Sequence, residues 1–424
     1  MITQTDAVSS HLTNKPLRQK ICLCTIGTRG DILPFVLISQ ALIARGQSVT
    51  VLSNANWREL FESKGTEFID IAPKDPPQSA RDDLDFFNSA VLPSFHKTFD
   101  AVATLRESNA NLSLVYRSGM AGARVAAEVF ELPSMNVMLQ PMQMKSKDRP
   151  PWPLTRLAQN HLAWLNKKTL IPALYALGEL RSPYRKIVNA FRVQSGLPKA
   201  PLFKGQTFPE THTILLCPDW FAMPQADWGT QIACLGFPFG DNQIMQDSEV
   251  EHFIQTQQDL PIVFTPGTGV NDISDLFATA QALCEDLERP GLFLSPSAEK
   301  MPNMSERLIT RNYVPLESVL SKACLLVHHG GIGTTAQAIR AGIPQIISPN
   351  RFDQPDNALR IAELGLGAGI FKKQLSRTGW ATLAERVLSS EKIRTQTANA
   401  SKNLQGARAV DDAADLILSL FEET

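Results

Sequence analysis

His328 to Asn357 reads HHGGIGTTAQAIRAGIPQIISPNRFDQPDN, and the architecture of the chain can be inferred from these residues. The apolar run Leu325 to Val327 ahead of them predicts a strand that delivers His328 and His329 onto a glycine-bearing turn. Thr334 to Ala341 then has the composition of a helix that stops at Gly342. A strand, a tight loop and a helix N-terminus in this order gather unpaired backbone N–H groups and the positive end of the helix dipole in one place. A diphosphate fits there against Gly331, Gly333, Thr334 and Thr335. Beyond a second apolar run at Ile346 and Ile347, Asp353 and Gln354 offer carboxylate and amide chemistry suited to hydroxyl groups. Diphosphate and polyol chemistry side by side point to a nucleotide sugar.

The same alternation of strand and helix fills both halves of the chain. Lys20 to Ile26 predicts a strand, Ile32 to Ala44 a helix stopped by Gly46, and Ser48 to Ser53 a second strand, which together make a βαβ unit. A second series starts at Pro261 to Phe264, continues through a helix around Ala278 to Leu287 and runs into the histidine-glycine turn. At 424 residues the chain exceeds one ordinary core, so two α/β domains are expected. The expected divisions are a flexible N-terminus over 1–18, a first Rossmann-like domain over 19–225, a linker over 226–246, a second Rossmann-like domain over 247–406 and a final amphipathic helix over 407–424. Residues near Asp82 to His96 and Gln140 to Pro198, rich in Pro, Trp, Met and Phe, depart from the alternation and read as insertions.

Tyr313-Val314-Pro315, His328-His329-Gly330-Gly331, Gly342-Ile343-Pro344 and Asp353-Gln354 carry, with their spacing, a family resemblance. The segment resembles the donor-binding signature of GT-B glycosyltransferases of the UDP-glycosyltransferase (family 1) type. Its HHGG…GTT spelling is closer to sterol glucosyltransferases, glycopeptide-antibiotic glycosyltransferases and rhamnolipid rhamnosyltransferases than to plant enzymes, which spell it HCGWNS. Leu215 to Asn242 looks most like the rhamnolipid type. The resemblance implies two Rossmann-like domains facing a central cleft, with the C-terminal helix crossing back to the first domain. It implies an inverting transfer of a hexose or deoxyhexose from UDP-glucose or dTDP-rhamnose, with no metal and no further cofactor. Tyr313 and Val314 would face the nucleobase, and Asp353 and Gln354 the sugar. Aligning HHGGIG on HCGWNS puts His328 at the phosphates and leaves His329 as a packed support of the turn. Counted from His328, Ala336 falls where relatives place a glutamate for the ribose, with Gln337 next to it. Thr268, in the first loop of the second half, reaches the same phosphates on this reading.

Catalysis turns on Gly27-Thr28-Arg29-Gly30-Asp31. Asp31 follows a strand at the edge where open α/β sheets place their chemistry, a position that suits a general base. The resemblance points the same way, because the matching aspartate of the glycopeptide-antibiotic enzymes deprotonates the acceptor hydroxyl. The plain alternative is that Asp31 is the N-cap of the helix behind it.

The formal charge of −1 provides no general attraction for nucleic acid. Six cysteines without metal-ligand spacing read as reduced buried thiols. No run of ~18 apolar residues suggests a membrane span, and Met1 to Lys20 lacks the apolar core of a signal peptide, so a cytoplasmic protein is expected. The tryptophans, leucines and lysines from Trp152 to Lys168 leave open a peripheral contact with the inner membrane face; the alternative is a helix packed on its own core. Asp83-Leu-Asp85 matches a DxD metal pattern but stands far from the donor segment and reads as a solvated loop. Gly30, Phe86, Phe95, Met142 and Trp152 are candidate walls of a site for a lipophilic acceptor: a hydroxy fatty acid derivative first, then a sterol, carotenoid or polyketide. A catalytically silent nucleotide-sugar-binding partner is the alternative of another class.

Overall fold

Strand β1 (Lys20–Cys24) buries both of its faces: Ile21 and Leu23 join one apolar cluster, Cys22 and Cys24 another. A strand covered on both sides belongs in the middle of a parallel sheet, and there β1 lies. The structure is a computed structural model that describes residues 19–72, 92–201, 212–240, 245–267, 273–298, 307–371 and 375–422. The N-terminal residues 1–18, Thr268, Phe86, Asp83 and Asp85 lie outside the described residues.

The first sheet holds β1, β2 (Ser48–Asn54), β3 (Glu67–Ala72), β4 (Leu112–Arg117), β5 (Ser134–Met138), β6 (His212–Leu215) and β7 (Ile232–Cys234), in the order β3-β2-β1-β4-β5-β6-β7. The second holds β8 (Ile262–Thr265), β9 (Gly291–Leu294), β10 (Leu308–Arg311), β11 (Leu325–His328), β12 (Gln345–Ile347) and β13 (Gly367–Gly369), in the order β10-β9-β8-β11-β12-β13. All their pairings are parallel. In each sheet the strand order reverses beside the first strand, between β1 and β4 and between β8 and β11. Such switch points open a crevice at the carboxyl edge, where ligands of open α/β sheets bind.

The structure corrects the expected linker. Residues 226–246 include β7, which pairs with β6, so the first domain extends at least to Cys234 and not merely to residue 225. A three-residue strand in the sequence Gln-Ile-Ala-Cys is too short to stand out from its surroundings.

The helices include α1 (Arg29–Ala44), α2 (Ile171–Arg181), α3 (Ile332–Ala341), α4 (Gln354–Glu363) and α5 (Ala409–Glu422). Helix α5 returns to the first domain, where Ala413, Ala414, Ile417 and Phe421 join the core around Ile38 and Leu42. Arg45 pairs with Asp411 and Asp415 beside it. A further apolar cluster unites the domains, with Met138, Leu215 and Phe221 of the first against Ala336, Ile347, Ala358 and Ile361 of the second.

Candidate active site

The loop after β1 seats a carboxylate. Thr28 is the N-cap of α1 and Asp31 the third helical residue, so the helix starts three residues before Ile32 and Asp31 is not the N-cap. The two form a capping box: Asp31 Oδ2 accepts from the Thr28 backbone N–H at 2.9 Å and from its hydroxyl at 3.1 Å. Arg117, at the end of neighbouring β4, reaches Asp31 Oδ1 with Nη1 at 3.6 Å while its Nε donates to the Ile26 carbonyl. Gly27 is required beneath the carboxylate. Its φ is +140°, and a Cβ there would stand 2.4 Å from Asp31 Oδ2. Gly30, the next residue before Asp31, is exposed.

Across the cleft, β11 ends in the turn that the sequence marks for a diphosphate. Gly331 caps α3, whose first three N–H groups, on Ile332, Gly333 and Thr334, have no acceptor within the helix. Gly333 is exposed and has open space beside it. Thr335 must be removed from the phosphate set: it is fully buried, and both its N–H and its hydroxyl bond to the Gly331 carbonyl.

The structure does not support His328 as the phosphate contact. His328 is fully buried; its Nδ1 accepts the Gly330 N–H at 3.1 Å and its Nε2 meets Gln345 Oε1 at 3.0 Å, so neither nitrogen remains for a phosphate. Burial pushes its pKa down to about 3. His329 instead stands between the two loops, since Cβ atoms placed on Gly267 and on Gly331 would meet its ring at 2.4 and 2.6 Å. Its Nδ1 has no hydrogen-bond partner among the described residues. Burial lowers its pKa to about 4, with a hydrogen bond to the Thr265 backbone acting in the opposite direction. The neutral ring is therefore the form at neutral pH. The buried Gln337 Oε1 likewise lacks a partner among the described residues, whereas Ala336 belongs to the core.

Asp353 and Gln354 open α4 beside this turn, and both are nearly buried. Asp353 Oδ2 accepts from Asn357 Nδ2 at 2.7 Å, and Asn357 also donates to the Gly330 carbonyl, which ties the two loops together. Gln354 Oε1 holds the Asn350 and Arg351 N–H groups, and no hydrogen bond engages its amide NH2 among the described residues. Burial lifts the Asp353 pKa to about 6, opposed by hydrogen bonds, with a smaller upward push from the charges of Asp31 and Asp356. Arg29 spans the same cleft, its guanidinium 5.4 Å from the centroid of the Tyr313 ring.

Among the other candidates, the Val314 side chain packs in the second core, so only its backbone can face a base. Phe95 is buried edge-on against Phe191 and is core, not acceptor wall. Met142 is half-buried just past the carboxyl end of β5, on the cleft edge. Trp152 stacks on Phe371 at 6.1 Å and donates its backbone N–H to Asp356, which places it in the joint between the domains. A groove of about 840 Å3 beside Tyr313 is lined by Gln246, Asp247, Arg311 and Pro315 but includes neither Asp31 nor Asp353.

Two Rossmann-like domains with a carboxylate at one switch point and a glycine-bearing turn before a helix at the other are the architecture of a GT-B glycosyltransferase of the UDP-glycosyltransferase type. Residues 21–139 match the glycosyltransferase family 28 N-terminal domain, and residues 295–412 match the erythromycin biosynthesis protein CIII-like C-terminal domain, together more than half of the chain. Over 94% of its length the chain is 25% identical to the O-mycaminosyltylonolide 6-deoxyallosyltransferase of Streptomyces fradiae, of which it covers 96%. It is 26% identical to the sterol 3-beta-glucosyltransferase of Vanderwaltozyma polyspora, but spans only 34% of that protein's length. In fold it matches the glycotransferase of kitacinnamycin with a TM-score of 0.75 at 17% identity, covering 96% of this chain and all of that one. The glycosyltransferase VinC, solved in complex with dTDP, superposes with a TM-score of 0.67 at 17% identity over 96% of this chain and all of VinC.

Proposed function

We propose that this chain transfers a hexosyl or deoxyhexosyl group from a nucleoside diphosphate sugar to a hydroxyl of a lipophilic acceptor, with inversion at the anomeric carbon. The observation that carries the reading is one cleft with the Asp31 loop on one wall and the α3 turn on the other, spanned by Arg29, two residues from Asp31, over the Tyr313 ring. The acceptor oxygen attacks C1 of the sugar on the face opposite the diphosphate, its proton passes to Asp31 as the new bond forms, and the C1–O bond to the phosphate breaks. The free N–H groups of α3 meet the charge that develops on the leaving diphosphate, and His329, whose one N–H serves the Thr265 backbone while the ring is neutral, donates to a phosphate oxygen by taking up a proton at Nδ1 as the diphosphate binds. Asp353 and the Gln354 amide hold the sugar hydroxyls, and Tyr313 presents its ring to the base. No step calls on a metal, and a chelator should leave turnover unchanged. A loss restored by manganese would count against this mechanism.

The names of the relatives support a polyketide or sterol acceptor ahead of a hydroxy fatty acid derivative, and a deoxyhexose donor carried on dTDP ahead of UDP-glucose. The test is direct. Purified protein is incubated with dTDP-rhamnose or UDP-glucose and a macrolactone, a sterol or a 3-hydroxy fatty acid, and the products are weighed by mass spectrometry. No adduct with any pair, and no hydrolysis of either donor, would return the chain to the reading of a silent nucleotide-sugar-binding partner.

His329→Ala is expected to weaken binding of the free nucleoside diphosphate roughly ten- to a hundredfold, the worth of one hydrogen bond to a charged group. His328→Ala is expected to act on stability instead, losing about 1–3 kcal/mol as buried partners on Gly330 and Gln345 go unpaired. Calorimetric titration and thermal unfolding of both variants separate these roles, and a weaker diphosphate affinity in the His328 variant alone would reverse the assignment.

A further inference from the structure

Helix α2 wears its leucines on the outside. Leu170, Ala173, Leu177 and Leu180 recur at helical spacing, and all four are exposed. Trp164, ahead of a π-helical turn at Asn166–Leu170, is 66% exposed, with Leu162 and Leu165 beside it at 45% and 40%. The sequence alternative of a helix packed on its own core fails here: Ile171 is buried, but the apolar stripe of the helix faces outward. Contiguous exposed apolar side chains on a soluble domain mark a surface that meets something.

The charge of the same segment says what. Residues 155–194 contain seven Lys or Arg against one acidic residue, Glu179, in a chain whose formal charge is −1. Glu179 is turned onto Lys145 and Arg185, and Arg192 is buried against Glu128, so these contribute little outward field. Lys168, Arg181 and Lys186 are exposed; Lys168 and Arg181 lie on the same helical run as the stripe, Arg181 four residues beyond Leu177. Tryptophan and leucines ringed by cations suit the boundary of an anionic bilayer: the apolar side chains enter the acyl edge and the cations meet phosphates. Among the described residues no helix is long and apolar enough to cross a membrane, so such a contact would be peripheral.

We propose that the face formed by Leu162, Trp164, Leu165, Leu170, Leu177 and Leu180 docks on an anionic lipid surface. The contact would seat the protein where a lipophilic acceptor is dissolved, yet it stands apart from the transferase reading, because bilayer binding is measured without donor or acceptor.

The experiment is flotation of the full chain with vesicles of phosphatidylcholine, alone or mixed with phosphatidylglycerol. Binding is expected only to the mixed vesicles, and to fall with salt. Lys168→Gln combined with Arg181→Gln is expected to lower the partition coefficient about 30-fold, at about one tenfold step per 1.4 kcal/mol and about 1 kcal/mol per cation. Leu177→Ser with Leu180→Ser should abolish flotation without changing the melting temperature, since both side chains are exposed. Tryptophan emission should shift to the blue on adding mixed vesicles, and Trp164→Phe should remove that shift. Equal partition of wild type and variants, or no flotation with mixed vesicles, overturns the proposal. A dimer in sedimentation equilibrium that Leu177→Ser with Leu180→Ser dissolves, with no vesicle binding, would assign the face to a second copy of the chain.

Discussion

Asp31→Asn is expected to lower turnover by roughly two to four powers of ten, the usual worth of a positioned general base. The substitution is informative because it spares the scaffold. An asparagine side-chain oxygen still accepts from the Thr28 N–H and hydroxyl that now meet Oδ2, so the capping box survives in outline. What goes is the capacity to take a proton, along with most of the attraction to Arg117. On the proposed reading, affinity for the nucleoside diphosphate should be nearly unchanged, since α3 and His329 would hold that ligand in the other domain. Steady-state kinetics, calorimetric titration and thermal unfolding together decide the point. Turnover close to wild type, with only a shift in melting temperature, would reduce Asp31 to a helix-capping residue.

The sequence spoke most clearly where one rule governs many residues. The alternation of buried strands and helices showed both halves, with β1, β2 and α5 beginning within two residues of where the pattern put them. The helix behind Asp31 was placed three residues late, because its first turn, Arg29 to Asp31, carries no apolar residue and is held by the Thr28–Asp31 capping box. Strand β7 was hidden in the linker for lack of length.

In the site, the chemistry was legible but the direction of single side chains was not. Two adjacent histidines at the end of a strand point to opposite sides, and only packing says which side is core. On the proposed reading the available signal was the register: matching the second histidine to the family's HCGWNS brings Gln337, not Ala336, to the ribose position. Arg117 was missed because it lies 86 residues from Asp31 and is brought to it only by the pairing of β1 with β4. The exposed stripe of α2 defeated composition in the same way, since leucines at helical spacing look alike whether they face core or solvent.

Asp353→Asn should show recognition and stability pulling in opposite directions. Burial raises this carboxyl to about 6 in the folded protein, against an ordinary value near 4 in the unfolded chain. The folded state therefore binds the proton more tightly. The stability this provides is whole below about pH 4, fades as pH rises from about 4 to 6, and is absent at neutral pH, a loss on the order of 2–3 kcal/mol. Asparagine carries no charge to bury and can still accept from Asn357. The variant should thus unfold at a higher temperature than wild type at neutral pH, while near pH 4 the two should melt alike. On the proposed reading the carboxylate is kept ionised in that expensive place to accept hydrogen bonds from the sugar. Its loss should weaken the intact nucleotide sugar roughly ten- to a hundredfold and leave the bare diphosphate nearly untouched. Titrating both ligands into the variant, alongside melts at the two pH values, tests each half. Parallel losses for the two ligands would reject sugar recognition, and a variant less stable at neutral pH would show that Asp353 is there to hold α4 in place.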